Sequence, residues 1–285
     1  MLYRCFALGC CVLFLSSGVS RAGTLVQFRT TVGDFDVELY DADKPVTTRN
    51  FLRYITNGLY ADSIMHRVVT NFVIQGGAVA RINRGSTNGA FYSVPTFSPI
   101  ANEFKVGKFY SNRYGTIAMA KTSDPDSATS SFFFNLTNNS TSLDSTNNSG
   151  GFTVFGHVVF GTNALNAFKI GPTNHLVKLV NLSSISPVLS ECPVRYSATN
   201  VIHDSDLIYV DISLLSVQIV APPNGGAREI SWNSVSNKLN LVEYTTHLPP
   251  AWQILASTNG NGNRLKVTDA STGDPFRFYR VRVAY

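Results

Sequence analysis

A run of alternating residues near the amino-terminal end constrains the fold most. From Thr24 to Tyr40, Leu25, Gln27, Phe35, Val37 and Leu39 fall on one face and Asp34, Asp36 and Glu38 on the other, with Thr31 to Gly33 as the turn. Successive strand residues point to opposite sides, so the segment predicts a hairpin with one buried and one wet face. Further apolar runs at Ile64–Val69, Phe72–Gln75, Thr116–Ala120, Ser131–Leu136 and Thr153–Val159 are separated by Gly, Asn, Asp and Ser. They are too short for helices, and the turn formers between them predict a mainly antiparallel β protein. Two helices interrupt it. One is predicted at about 44–57, where Asp43 precedes Pro45, Phe51, Tyr54 and Ile55 form a stripe, and Gly58 is the stop. The other is predicted at about 163–170, with Asn163 as cap, Leu165 and Phe168 inward, and Gly171 after it. Thr137 to Gly150 is polar except for Leu143 and reads as a loop. Triplets beginning at Asn135, Asn138, Asn139, Asn147 and Asn181 fit the glycosylation sequon, but a chain so rich in Asn, Ser and Thr makes such matches by chance.

Residues 1–22 read as a secretory signal peptide: a basic start through Arg4, an apolar run from Cys5 to Leu15, and small residues up to Ser20-Arg21-Ala22. That run falls well short of the ~20 residues needed to span a bilayer, and no later segment comes close, so no membrane span is expected after cleavage. The chain is expected to be exported, to a periplasm or the extracellular medium. Cleavage leaves Cys192 as the only cysteine, so no intramolecular disulfide can form and the core must supply the stability. Cys192 precedes Pro193 with no histidine nearby, which favours a buried or idle thiol over a nucleophile. Loss of Arg4 and Arg21 lowers the net charge from +5 to +3, too little to predict a nucleic-acid surface.

The composition changes near Leu215. Leu207 to Leu214 is an apolar strand, Ala221 to Gly226 a Pro/Gly turn, and short alternating strands with both tryptophans, Trp232 and Trp252, follow. Residues 216–285 are expected to form a small β-sandwich, loosely similar to fibronectin-type modules and separate from residues 24–215. Trp232 suits either its core or an exposed sugar-binding face.

The five histidines are scattered, and HExxH, CxxC, GxSxG, the phosphate-loop GxxxxGK[ST] and GxGxxG are all absent. No metal and no cofactor are expected, and nothing selects a catalytic pair among the carboxylates. One cation set among aromatic residues stands out instead. The first of three blocks is Met65-His66-Arg67-Val68-Val69-Thr70-Asn71-Phe72-Val73-Ile74-Gln75-Gly76-Gly77. The second runs Tyr114-Gly115-Thr116-Ile117-Ala118-Met119-Ala120-Lys121-Thr122 and then Ser127-Ala128-Thr129-Ser130-Ser131-Phe132-Phe133-Phe134-Asn135. The third is Phe152-Thr153-Val154-Phe155-Gly156. Taken singly, Arg67 reads as a surface ion-pair partner, Phe72, Phe132, Phe133 and Phe134 as core, and His66 as a structural histidine rather than a general base.

In order and spacing, the blocks resemble the cyclophilin family of peptidyl-prolyl isomerases, specifically its bacterial exported branch, over about residues 24–215. The resemblance implies a closed eight-stranded antiparallel barrel capped by two helices. The site would lie in an exterior groove, because the interior of a small barrel is filled with side chains. It implies a catalytic group of Arg67, Phe72 and Gln75, in which Gln75 orients the arginine and Phe72 lines the proline pocket. The implied substrate-binding residues are Val73, Met119, Ala120, Ser131, Phe133, Leu143 and Phe152. The implied partners are proline-containing unfolded or extended polypeptides, and the implied role is to assist folding of exported proteins.

The chain departs from the family pattern at several positions. Ser131 replaces a second glutamine that would hold substrate backbone, Val73 stands where methionine is frequent, and Phe152 where animal members have histidine. Ala78 replaces the aspartate that usually follows the paired glycines. Ser142 stands where animal members have a tryptophan associated with tight cyclosporin binding, so weak cyclosporin sensitivity is expected. Two other functions fit parts of the sequence: a groove that binds Pro-containing peptides without turnover, and a surface adhesion or scaffold protein acting through the C-terminal sandwich.

Overall fold

The computed structural model describes residues 23–85, 89–169, 176–196, 202–215, 217–222, 226–234, 239–247, 250–261, 263–271, 273–274 and 276–284. The expected signal peptide, and Gly171 after the second expected helix, lie outside them. Strands β1 (Leu25–Thr30) and β2 (Gly33–Leu39) form the hairpin, with Val26 opposite Val37 and Phe28 opposite Phe35. This register corrects the expected facing of β1. A two-residue turn sets residues of opposite parity across from each other, so Val26 and Phe28 join Phe35 and Val37 inside. Leu25 is exposed, and Gln27 stands opposite Asp36, donating to its carboxylate at 3.0 Å.

Helix α1 (Pro45–Thr56) follows the predicted span and buries Phe51 and Tyr54. No side chain of its own caps it; the carboxylate of Glu103 instead accepts from the Val46 and Thr47 backbone N–H groups at 3.0 and 2.7 Å. A negative charge at those unsatisfied donors complements the helix dipole.

Next come β3 (Ser63–Ile64), β4 (Arg67–Val69), β5 (Val73–Gly76), β6 (Val79–Arg81), β7 (Phe91–Ser93), β8 (Thr116–Met119) and β9 (Phe132–Asn135). The segment expected to be a loop contains a one-turn helix, α2 (Ser140–Leu143), because Leu143 is buried and ties it down. After β10 (Val154–Phe160), the second expected helix is short, α3 (Thr162–Asn166), with Leu165 and Phe168 buried. Its flanking residue is Gly161 at φ 76°, not Asn163; a Cβ at Gly161 would lie 2.2 Å from the Asp34 carbonyl oxygen, which only glycine avoids.

A hairpin of β11 (Val177–Val180) and β12 (Cys192–Arg195) precedes β13 (Tyr209–Leu214). Eleven strands form one antiparallel sheet in the order β4-β5-β9-β8-β10-β2-β1-β13-β3-β6-β7. The fold is therefore mainly β with few helices, a curled half-barrel rather than the closed eight-stranded barrel expected. Met65 donates its N–H to Ile208 while the next residue, His66, donates to Gln75, so the chain crosses between the two sides at this point and β3 and β4 do not pair. Strand β12 lies in the gap: Val68 donates to the Glu191 carbonyl at 2.9 Å, and Val194 bridges to Leu207. Inside the curl, Phe28, Phe35, Phe51, Phe132 and Phe134 are fully buried and meet mostly edge to face, the favoured arrangement of aromatic rings.

Beyond Leu215, β14 (Val217–Val220), β15 (Arg228–Asn233), β16 (Leu239–Thr245), β17 (Gln253–Asn259), β18 (Arg264–Asp269) and β19 (Phe278–Ala284) form two three-stranded sheets, β14-β15-β18 and β17-β16-β19. Ile230, Trp232, Val242 and Val281 make a core of their own. Trp232 is 1% exposed and donates to the Asn240 side-chain oxygen at 3.2 Å, so it serves that core and not a sugar-binding face. No helix among the described residues is long and apolar enough to cross a membrane.

Candidate active site

Strand register brings the distant blocks into one line. Arg67 of β4 stands opposite Gln75 of β5, Gln75 opposite Phe133 of β9, Phe133 opposite Ala118 of β8, and Ala118 opposite Val154 of β10. Residues directly opposite share a face, so this row crosses five strands on the outer side of the sheet. Their sequence neighbours Val68, Ile74, Phe132, Phe134, Ile117 and Phe155 belong to the interior.

The outer side carries its own apolar cluster. Val73, Ala118, Phe133, Leu143 and Val154 are buried in it, and Phe72, Ala120 and Phe152 pack against it half-buried. Phe133 and Phe152 meet edge to face with centroids 5.8 Å apart, and the Lys121 ammonium lies 4.2 Å from the centre of the Phe152 ring. At one end, Arg67 Nη1 donates to Gln75 Oε1 at 3.2 Å, and Nη2 forms an ion pair with Glu191 Oε2 at 2.9 Å. Ser131 is half-buried beside Ala120, whose N–H donates to its carbonyl at 2.9 Å. Met119 requires a correction. Ala118 faces outward, so the alternation turns Met119 inward, and it lies 2% exposed in the interior core.

Buried amides that pattern reading missed hold the segments that carry Phe72 and Phe152. In the β4–β5 turn, Asn71 adopts φ 56°, a left-handed conformation that asparagine tolerates. The carbonyl of the following Phe72 accepts from Leu136 N–H and from Asn139 Nδ2, both at 2.8 Å. Asn139 Nδ2 also donates to Asn135 Oδ1 at 2.7 Å, and Asn135 Nδ2 to Asn112 Oδ1 at 3.1 Å. Asn112 Nδ2 donates to Asp144 Oδ1 at 2.8 Å and to the Phe152 carbonyl at 3.0 Å. This chain of amides ties Phe72 to Phe152. Asn112 and Asn135 are fully buried and Asn139 nearly so, which is tolerable only because their polar atoms are paired. The sequons at Asn135 and Asn139 are thus not open to modification in the folded chain. The four-residue spacing of these two asparagines was the available signal.

Two reactive residue types are quiet. Burial, reinforced by the charge of Arg67, pushes the His66 pKa down to about 4, so the ring is neutral near pH 7. Burial pushes the Cys192 thiol up to about 12, which leaves it protonated and inert.

Residues 25–186 match the family model described as cyclophilin type peptidyl-prolyl cis-trans isomerase/CLD. The chain is 38% identical over 160 residues to a peptidyl-prolyl cis-trans isomerase of Acinetobacter baylyi, covering 56% of this chain and 79% of that protein. It is 38% identical over 151 residues to peptidyl-prolyl cis-trans isomerase B of Escherichia coli, covering 51% and 84%. Isomerase A of Dickeya dadantii is 32% identical over 182 residues, covering 64% and 90%. A cyclophilin type isomerase of Cryptosporidium parvum superposes with a TM-score of 0.42 at 23% identity, over 68% of this chain and 98% of that one. The chain belongs to the cyclophilin-type peptidyl-prolyl cis-trans isomerase family.

Proposed function

We propose that the outer groove is the active site, that Arg67 is its catalytic residue, and that Gln75 orients the guanidinium. The row from Arg67 through Gln75 to Phe133 carries this reading, because it sets a cation at the end of an apolar pocket. An X–Pro bond isomerises through a twisted state roughly 18–20 kcal/mol up, in which amide resonance is lost and the proline nitrogen becomes a better acceptor. Phe72, Phe133, Leu143 and Phe152 hold the ring, with Val73 and Ala120 alongside. The guanidinium donates toward that nitrogen and its flanking carbonyl. This contact strengthens as the bond twists, so it favours the transition state over either planar isomer. No covalent bond is made or broken, so positioning and electrostatics suffice.

Residues 24–215 form the catalytic unit in this reading, and residues 216–285 a separate small sandwich. Export after cleavage behind Ala22 directs the activity to proline-containing segments of exported proteins. A groove that binds without turnover is the second reading, favoured by Ser131, which has no amide to hold substrate backbone. A protein whose refolding waits on prolyl isomerisation separates the two. The slow phase, tens to hundreds of seconds at 25 °C, should shorten in proportion to added enzyme. An unchanged rate with the peptide still bound would establish the second reading. Amino-terminal sequencing of protein from non-cytoplasmic fractions should find Gly23 first; protein confined to the cytoplasm with Met1 intact would overturn export.

A further inference from the structure

We propose that Glu191 is a positioning residue for Arg67, so that the segment carrying β12 is part of the active site. The inference rests on the catalytic reading of Arg67. Two observations place Glu191 there independently of its charge. Its carbonyl accepts from the N–H of Val68, the residue after Arg67, at 2.9 Å, which anchors its backbone beside β4. The adjoining Cys192 pairs with Val180 and is buried, with Leu189 and Val194, against Ile64, Leu207 and Tyr209. Glu191 is therefore held from both sides, and its carboxylate reaches Arg67 Nη2 at 2.9 Å while Gln75 holds Nη1 at 3.2 Å.

The two side chains are 35% and 41% exposed, and an ion pair that open contributes little to folding. Its consequence is geometric. A long arginine side chain free to sample rotamers presents its charge in the reactive orientation for only part of the time, whereas one held at both terminal nitrogens is pre-organised. Gln75 lies within the stretch matched to the family, which ends at residue 186, and Glu191 lies beyond it. The second hold on the guanidinium comes from the segment between β11 and β12.

Glu191→Gln preserves size and removes the charge, and Glu191→Ala removes both. Exchange of an Ala-Pro-Phe peptide measured by NMR, at concentrations spanning KM, should show kcat reduced about five- to tenfold in one or both variants with KM within about twofold. The thermal midpoint should stay at the wild-type value. The Arg67 guanidinium protons, sharpened by restricted rotation in the wild type, should average in the impaired variant. A merely structural Glu191 would lower the midpoint or raise KM and leave those signals alone. Wild-type or faster turnover in both variants would overturn the proposal, as would a loss confined to KM. Arg67→Ala is measured beside them: if it turns over normally, the catalytic reading itself has failed, whereas its loss without any loss at Glu191 refutes Glu191 alone.

Discussion

The two faces of β5, β9 and β8 are made from the same short strands and have opposite uses. Inward, Phe134 lies 5.0 Å from both Phe28 and Phe35, and Phe132 meets Phe51 and Tyr60 at 5.5 and 5.7 Å, all without exposure beyond 2%. Outward, Phe133 meets Phe152, and its row ends in a half-exposed ion pair. One side is complete and holds the fold; the other has apolar surface and an oriented cation left for a ligand. With the proposed site, three consecutive phenylalanines would divide stability from binding by alternation.

That division breaks most clearly under truncation. Phe134→Ala should cost about 3–5 kcal/mol in urea unfolding and leave turnover per folded molecule unchanged. Phe133→Ala should cost less stability and raise KM; equal destabilisation with normal KM would erase the distinction between the faces. A second contrast is between adjacent residues, since His66 is buried where Arg67 emerges. The unfolded chain takes up a proton at His66 near pH 6.5, which the folded chain refuses until about pH 4. The stability from keeping this ring neutral is fully present above pH 6.5 and is lost as pH falls toward 4, up to about 3 kcal/mol. Unfolding midpoints across that range should show the slope, and His66→Leu should flatten it.

Smaller effects sharpen the account of the pocket walls. Asn112→Ala leaves Asn135 and Asp144 short of partners and should cost about 1–3 kcal/mol, with a rise in KM because Phe72 and Phe152 lose their tie. An unchanged KM would mean that the amide chain supports only the fold. Cyclosporin should inhibit weakly, since exposed Ser142 offers no aromatic surface; a submicromolar inhibition constant would contradict this.

Local chemistry was the legible part. Helix α1 appears where Pro45 and the Phe51/Tyr54 stripe predict it, and the short strands lie where turn formers separate apolar runs. Facing was less legible, because it depends on pairing across a turn; that is why β1 is inverted relative to the expectation and why Met119 lies inside. The tract rich in Asn and Ser looked solvated because composition does not reveal a partner, yet Asn139 is buried and bonded to the Phe72 carbonyl. The Glu191 contact has no local signature at all, since only the sheet's open edge brings β12 to β4. The motif blocks named candidate residues, and register, a property of several strands at once, set Arg67, Gln75 and Phe133 in one row.

The central claim is that the arginine at the end of the outer row accelerates isomerisation while the aromatic pocket binds. Two-dimensional NMR exchange on Ala-Pro-Phe, comparing the wild type with Arg67→Ala, tests it most directly. The account predicts rapid cis–trans exchange with the wild type and at least a roughly tenfold slower rate with the variant, with both proteins still shifting the peptide resonances. Equal exchange rates for the two proteins would contradict it.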